Sequence, residues 1–139
     1  MNNRMMAVLE NWPNDPRNVK GLFLDLKSEI TQKKDVILSF HSRTGVSHSL
    51  RATVNNRGGK HRPLFVLVDI IDDDLNNRWL SVCFYEDTIT DPSEQGELIP
   101  AGIFGEDGYC FDLYKYDKNM ISYLGKRIDE AYRYMNRTK

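Results

Sequence analysis

The chain of 139 residues falls in the usual range of a single domain and is long enough to bury about two thirds of its unfolded surface in one core. Its 40% hydrophobic and 28% charged residues exclude a disordered or fibrous class, and its apolar runs are far shorter than the ~20 residues that span a bilayer. A net charge of -1 denies it the broad positive field of a typical nucleic-acid-binding domain. The charge is segregated along the chain, with eleven Lys+Arg against five Asp+Glu in residues 1–68, one against twelve in 69–112, and seven against three in 113–139. The acidic middle block is a candidate surface for a basic partner.

Residues 1–14 carry Met5, Met6, Val8, Leu9 and Trp12 and read as an N-terminal arm, which leaves residues 15–139 as a single α+β domain. Asp15-Pro16 predicts a helix start, because aspartate accepts from orphan backbone donors and proline is preset for the first turn. The helix is expected to run to about Lys34, with Val19, Leu22, Phe23, Leu26 and Ile30 as its apolar stripe.

Val36 to Val54 reads as a hairpin whose side-chain pattern decides the turn. A two-residue loop pairs Leu38 with Arg51 and mixes the faces. A three-residue loop of Thr44, Gly45 and Val46 instead sets Val36, Leu38 and Phe40 across from Val54, Ala52 and Leu50. The other face then carries Ser39, His41, Arg43, Ser47, Ser49 and Arg51. Asn55 to Arg62, reading NNRGGKHR, is a polar linker with nothing to bury.

A central hairpin follows, with strands at Leu64 to Ile71 and Trp79 to Tyr85 around the turn formers Asp72 to Asn77. Strict alternation places Phe65 and Leu67 on one face and Leu64, Val66 and Val68 on the other. Asn76 or Asn77 is expected to take a left-handed backbone in the turn. Thr88 to Asp107 reads as a long connection, Gly108 to Tyr114 as a fifth strand, and Asp117 as the cap of a final helix. That helix has a stripe of Met120, Ile121, Leu124, Ile128, Ala131 and Met135, with Lys126, Arg127, Arg133 and Arg137 outside it.

The expected fold is α+β: an antiparallel five-stranded sheet of two hairpins plus a later strand, with an N-terminal and a C-terminal helix packed on one face. Cys83 and Cys110 lie in apolar strand-like segments and read as buried free thiols, which predicts no disulfide and a cytoplasmic protein.

No motif specifies a chemistry. Asp72, Asp74 and Asn76 meet the first oxygen positions of a calcium loop, but Asn77 stands at its glycine position and Cys83 where a bidentate glutamate belongs. The glycines 102, 105 and 108 lead into a strand instead of a helix, so they make no phosphate cradle. No metal and no cofactor are predicted.

The first-choice ligand site is His41, Arg43, Ser49 and Arg51, which share one hairpin face and hold the donors for a carboxylate or phosphate. The expected function is a noncatalytic domain that binds a partner protein or a small anion, with a homo-oligomer as one form of partner. One alternative is a small enzyme with His41 as general base and Arg43 and Arg51 holding an anionic substrate. Another is weak nucleic-acid binding through Arg57, Lys60, His61 and Arg62.

Overall fold

A computed structural model of the chain describes residues 3–55 and 62–137. The elements in order are α1 (Asn3–Glu10), α2 (Val19–Thr31), β1 (Val36–Arg43), β2 (Ser47–Val54), β3 (Val66–Ile71), β4 (Trp79–Tyr85), a 3-10 turn (Glu86–Thr88), β5 (Glu97–Ile103), β6 (Glu106–Leu113) and α3 (Lys118–Arg137). The strands form one open antiparallel sheet in the order β1-β2-β3-β4-β6-β5.

Among the described residues the sheet therefore has six strands, not the five expected. The additional strand is β5, which pairs along β6 at the sheet edge and was read as part of the long connection. It carries Pro100 and Gly102 and is exposed along nearly its whole length, so it shows no alternation of buried and exposed residues. Proline is tolerated there because an edge strand has one side free of ladder bonds.

Helix α2 begins at Val19 instead of just after Pro16. Asp15 still serves it, since its carboxylate accepts from the Val19 and Lys20 N–H groups at 2.9 Å each. Asn18, left-handed at φ 55°, accepts from the Gly21 N–H at 3.2 Å. At the other end of the chain Asp117 accepts from the N–H groups of Asn119 and Met120 at 3.0 and 3.3 Å, as a cap of α3 should.

The first hairpin has the expected three-residue turn and register, with Phe40 opposite Leu50 and Val36 opposite Val54. Gly45 sits at φ 83°, where a side chain is disfavoured, and the Val46 N–H closes the turn on the Arg43 carbonyl at 2.9 Å. In the second hairpin neither asparagine is left-handed. Asp74 shapes that turn instead, taking the Asn76 N–H at 3.2 Å and the Asn77 side-chain amide at 2.9 Å.

Helices α2 and α3 cover one sheet face. Leu22, Phe23, Leu26 and Ile30 meet Leu124, Ile128 and Ala131 over Leu50, Ala52, Val66, Val68, Ile70, Leu80, Val82 and Phe111. Met5 and Val8 of α1, from the segment read as an arm, join this core. Phe65 also lies in it beside Val66, while Leu64 packs on the other side with Tyr85, Cys83 and Ile103. The expected alternation fails there because the strand begins only at Val66. Arg127, read as outside the α3 stripe, is buried over the Tyr123 ring at 4.5 Å and paired with Glu130 at 3.0 Å.

Cys83 and Cys110 stand directly opposite each other on β4 and β6 and are joined as a disulfide, with no free cysteine among the described residues. The free-thiol reading is thereby overturned, and with it the ground for expecting a cytoplasmic protein. No described helix is long and apolar enough to cross a membrane.

Candidate functional site

The face of the sheet away from the helices carries the first candidate site. Register aligns His41, Ser49, Asp69, Ser81 and Asp112 in one row across β1, β2, β3, β4 and β6. The next row holds Ser39, Arg51, Leu67, Cys83 and Cys110. Antiparallel residues directly opposite one another share a face, so these side chains are neighbours by construction.

All of the predicted residues His41, Arg43, Ser49 and Arg51 line one cavity of about 180 Å³, together with Ser47, Leu67 and Asp69. Ser49 is buried, Arg51 half-buried, and His41 and Arg43 exposed at the rim. Arg51 Nε donates to Ser49 Oγ at 3.2 Å, and His41 Nε2 lies 3.1 Å from Ser39 Oγ. Neither Arg43 nor Arg51 forms an ion pair within 4.0 Å among the described residues.

Asp69 is the residue of this site that the sequence reading missed. Burial holds its carboxyl above the ordinary carboxylate value, while the Ser49 hydroxyl, Arg51 and Arg43 pull it the other way. Its Oδ1 is buried without a hydrogen-bond partner among the described residues. The alternation within β3 was the available signal, but it places Asp69 opposite Ser49 only once β3 is known to pair with β2.

A larger depression of about 390 Å³ lies between the 3-10 turn and α3, lined in part by Asp87, Thr90 and Glu130. Its polar groups already serve one another. Thr90 donates to Glu130 at 2.9 Å through its N–H and at 2.6 Å through its hydroxyl, and Arg62 pairs with Asp87 at 3.0 Å.

Of the residues considered for nucleic acid, Arg57, Lys60 and His61 lie outside the described residues. Arg62 is held within the fold: it reaches Glu106 at 2.8 Å and its guanidinium lies 4.4 Å from the centre of the Tyr85 ring.

A second polar constellation sits on the helix side of the first hairpin and was not foreseen. Ser42 Oγ lies 2.7 Å from His48 Nδ1, His48 Nε2 lies 2.8 Å from Asp72 Oδ2, and Arg78 Nε donates to Asp72 Oδ1 at 2.8 Å. Arg78 in turn lies 5.0 Å from the centre of the Trp12 ring. His48 is 3% exposed and stacks parallel on Phe40, while Ser42 is only half-buried. Burial alone raises the Asp72 pKa, but the hydrogen bonds and charges of Arg78 and His48 outweigh it and the net direction is downward. Asp72, considered above as a calcium ligand, is thus committed to His48 and Arg78. The Ser42–His48 contact was implicit in the three-residue turn, which sets those residues opposite each other.

The geometry defines a small α+β protein whose sheet face away from the helices is polar over β1 and β2 and apolar around Leu64, Cys83, Tyr85 and Ile103. Against known proteins the chain matches no family model, no curated sequence and no solved structure.

Proposed function

We propose that the chain is a binding domain for a small anionic ligand, a carboxylate or phosphate seated on the open face of β1, β2 and β3. Arg43 and Arg51 supply the charge, and the Ser47 and Ser49 hydroxyls supply hydrogen bonds to the remaining oxygens. Asp69 restricts the choice. A ligand fits best if it presents a hydrogen-bonding or cationic group next to its anionic one, because the carboxyl lies in the same cavity as the guanidinium groups.

The observation that carries this reading is the convergence of two guanidinium groups without ion-pair partners on one cavity with buried Ser49. The enzyme alternative has less support. His41 is exposed and its ring is bonded to the Ser39 hydroxyl, with no carboxylate among the described residues to orient it as a general base. For nucleic-acid binding, a phosphate would have to displace Glu106 and Asp87 from Arg62.

Thermal melts test the proposal. Phosphate or succinate should raise the melting temperature of the wild type, by an amount equivalent to about 2.7 kcal/mol at a hundredfold excess over Kd. Arg51→Ala should lose the shift. Chloride and sulfate at matched ionic strength control for surface exclusion. Equal shifts in wild type and variant would end the anion-site reading and leave a protein partner as the occupant of this face.

A further inference from the structure

The chain from Ser42 through His48 and Asp72 to Arg78 has no part in the anion site, which lies on the opposite face of the same hairpin. A hydroxyl within hydrogen-bond reach of an imidazole, itself oriented by a third group, is the general signature of an activated nucleophile. We propose that Ser42 is such a nucleophile and that the protein transfers or hydrolyses short acyl esters there.

With the ring proton on His48 Nε2, that nitrogen donates to Asp72 Oδ2 at 2.8 Å and Nδ1 is free to accept from Ser42 Oγ at 2.7 Å. The two ring nitrogens are exchanged relative to the serine-protease arrangement, which leaves the proton path between hydroxyl and imidazole intact. Asp72 fixes the tautomer, and Arg78 fixes Asp72. Both act as positioning residues.

The reaction balances without a cofactor. Ser42 Oγ forms a bond to the acyl carbon, its proton passes to His48 Nδ1, and the ester C–O bond breaks as that proton moves to the departing alkoxide. Water then attacks the acyl-Ser42, giving its proton to His48, and the carboxylic acid leaves as the Ser42 hydroxyl is restored. The alcohol and the acid are the products.

Two structural features serve this role. Ser42 is half-buried on β1, whose sheet neighbour among the described residues is β2 alone, so substrate would approach it from the unpaired side of that strand. An edge strand also leaves alternate backbone N–H groups without a ladder partner, and on β1 the alternation turns the N–H of Ser42 itself away from β2, which makes it the donor at hand for a developing oxyanion. His48, by contrast, is buried against Phe40, where water does not compete for its hydrogen bonds.

The test is labelling of the full chain with a fluorophosphonate probe, followed by peptide mapping and by hydrolysis of p-nitrophenyl acetate. An adduct on Ser42 is expected in the folded wild type and not in urea. Ser42→Ala should remove it and slow ester hydrolysis by roughly a hundredfold, and His48→Gln should abolish labelling. Should His48→Gln fail to fold, the comparison of folded with urea-unfolded wild type decides alone. No adduct, an adduct on another serine, equal labelling in urea, or undiminished hydrolysis by Ser42→Ala would each overturn the proposal.

Discussion

Arg51 on β2 places its guanidinium carbon 5.4 Å from the centre of the Phe104 ring, which ties the basic hairpin to the turn between β5 and β6. Phe104 is 54% exposed and left-handed at φ 51°, a conformation that costs a side chain roughly 1–2 kcal/mol. Phe104→Ala should lose the cation–π contact, about 0.5–1 kcal/mol at an exposed site. Phe104→Gly loses the same contact but relieves the backbone. The glycine variant should therefore be the more stable of the two in urea melts, and the reverse order would show that the ring has a packing role beyond Arg51.

Asp91 is the hub of the turn before β5. It accepts from the Tyr123 hydroxyl, from the Tyr109 hydroxyl at 2.7 Å, and from the N–H groups of Gly96 and Gln95 at 2.9 and 3.0 Å. Burial pushes its pKa up, but these hydrogen bonds outweigh burial and hold it at about 2, below the ordinary 3.8. A depressed carboxylate contributes stability that is complete above the unfolded value and is lost as pH falls through the folded one. Melting temperature should accordingly drop between about pH 4 and about pH 2, and Asp91→Asn should show a smaller drop over that window. An unchanged acid profile in the variant would remove Asp91 as the cause.

Asp72 is 5% exposed between His48 and Arg78. Removing one member of a buried ion pair leaves the other charge without compensation, at a typical cost of 3–5 kcal/mol (roughly; surface pairs give far less). Asp72→Ala should fall near the lower end of that range, because Arg78 also lies over Trp12. A loss below about 0.5 kcal/mol by urea denaturation would mean that the network is not formed in solution.

The Cys83–Cys110 disulfide closes a loop with a sequence separation of 27. By chain entropy such a link stabilises by roughly 3–4 kcal/mol. Alkylation without reductant should leave the mass of the unfolded protein unchanged, whereas alkylation after reduction should add two groups, one on each of Cys83 and Cys110. Reduction should also lower the urea midpoint. Two alkylated thiols in the unreduced protein would contradict the bond.

Leu26 of α2 and Leu124 of α3 are both fully buried in the main core. Leu26→Ala and Leu124→Ala should each destabilise by roughly 2–5 kcal/mol, through lost burial and the cavity left behind. Effects below about 0.5 kcal/mol in both would place these helices with the wrong faces inward.

What the sequence determined alone is what neighbouring residues decide among themselves. The apolar stripes of α2 and α3 follow from helical spacing, and the register of the first hairpin follows from a turn that Gly45 permits and from the alternation of Phe40, Leu50 and Ala52. That register was enough to gather His41, Arg43, Ser49 and Arg51 on one face before any tertiary contact was known. Tertiary structure decided the rest, because it depends on which strands become neighbours. Asp69 enters the anion cavity only through the pairing of β3 with β2, and Cys110 meets Cys83 only because β6 lies between β4 and β5. Strand β5 itself was hidden, since an exposed edge places no hydrophobic demand on its sequence. The union of His48 with Asp72 across 24 residues, and of Asp72 with Arg78, likewise needs the second hairpin docked beside the first, where burial strongly favours hydrogen-bonded polar groups.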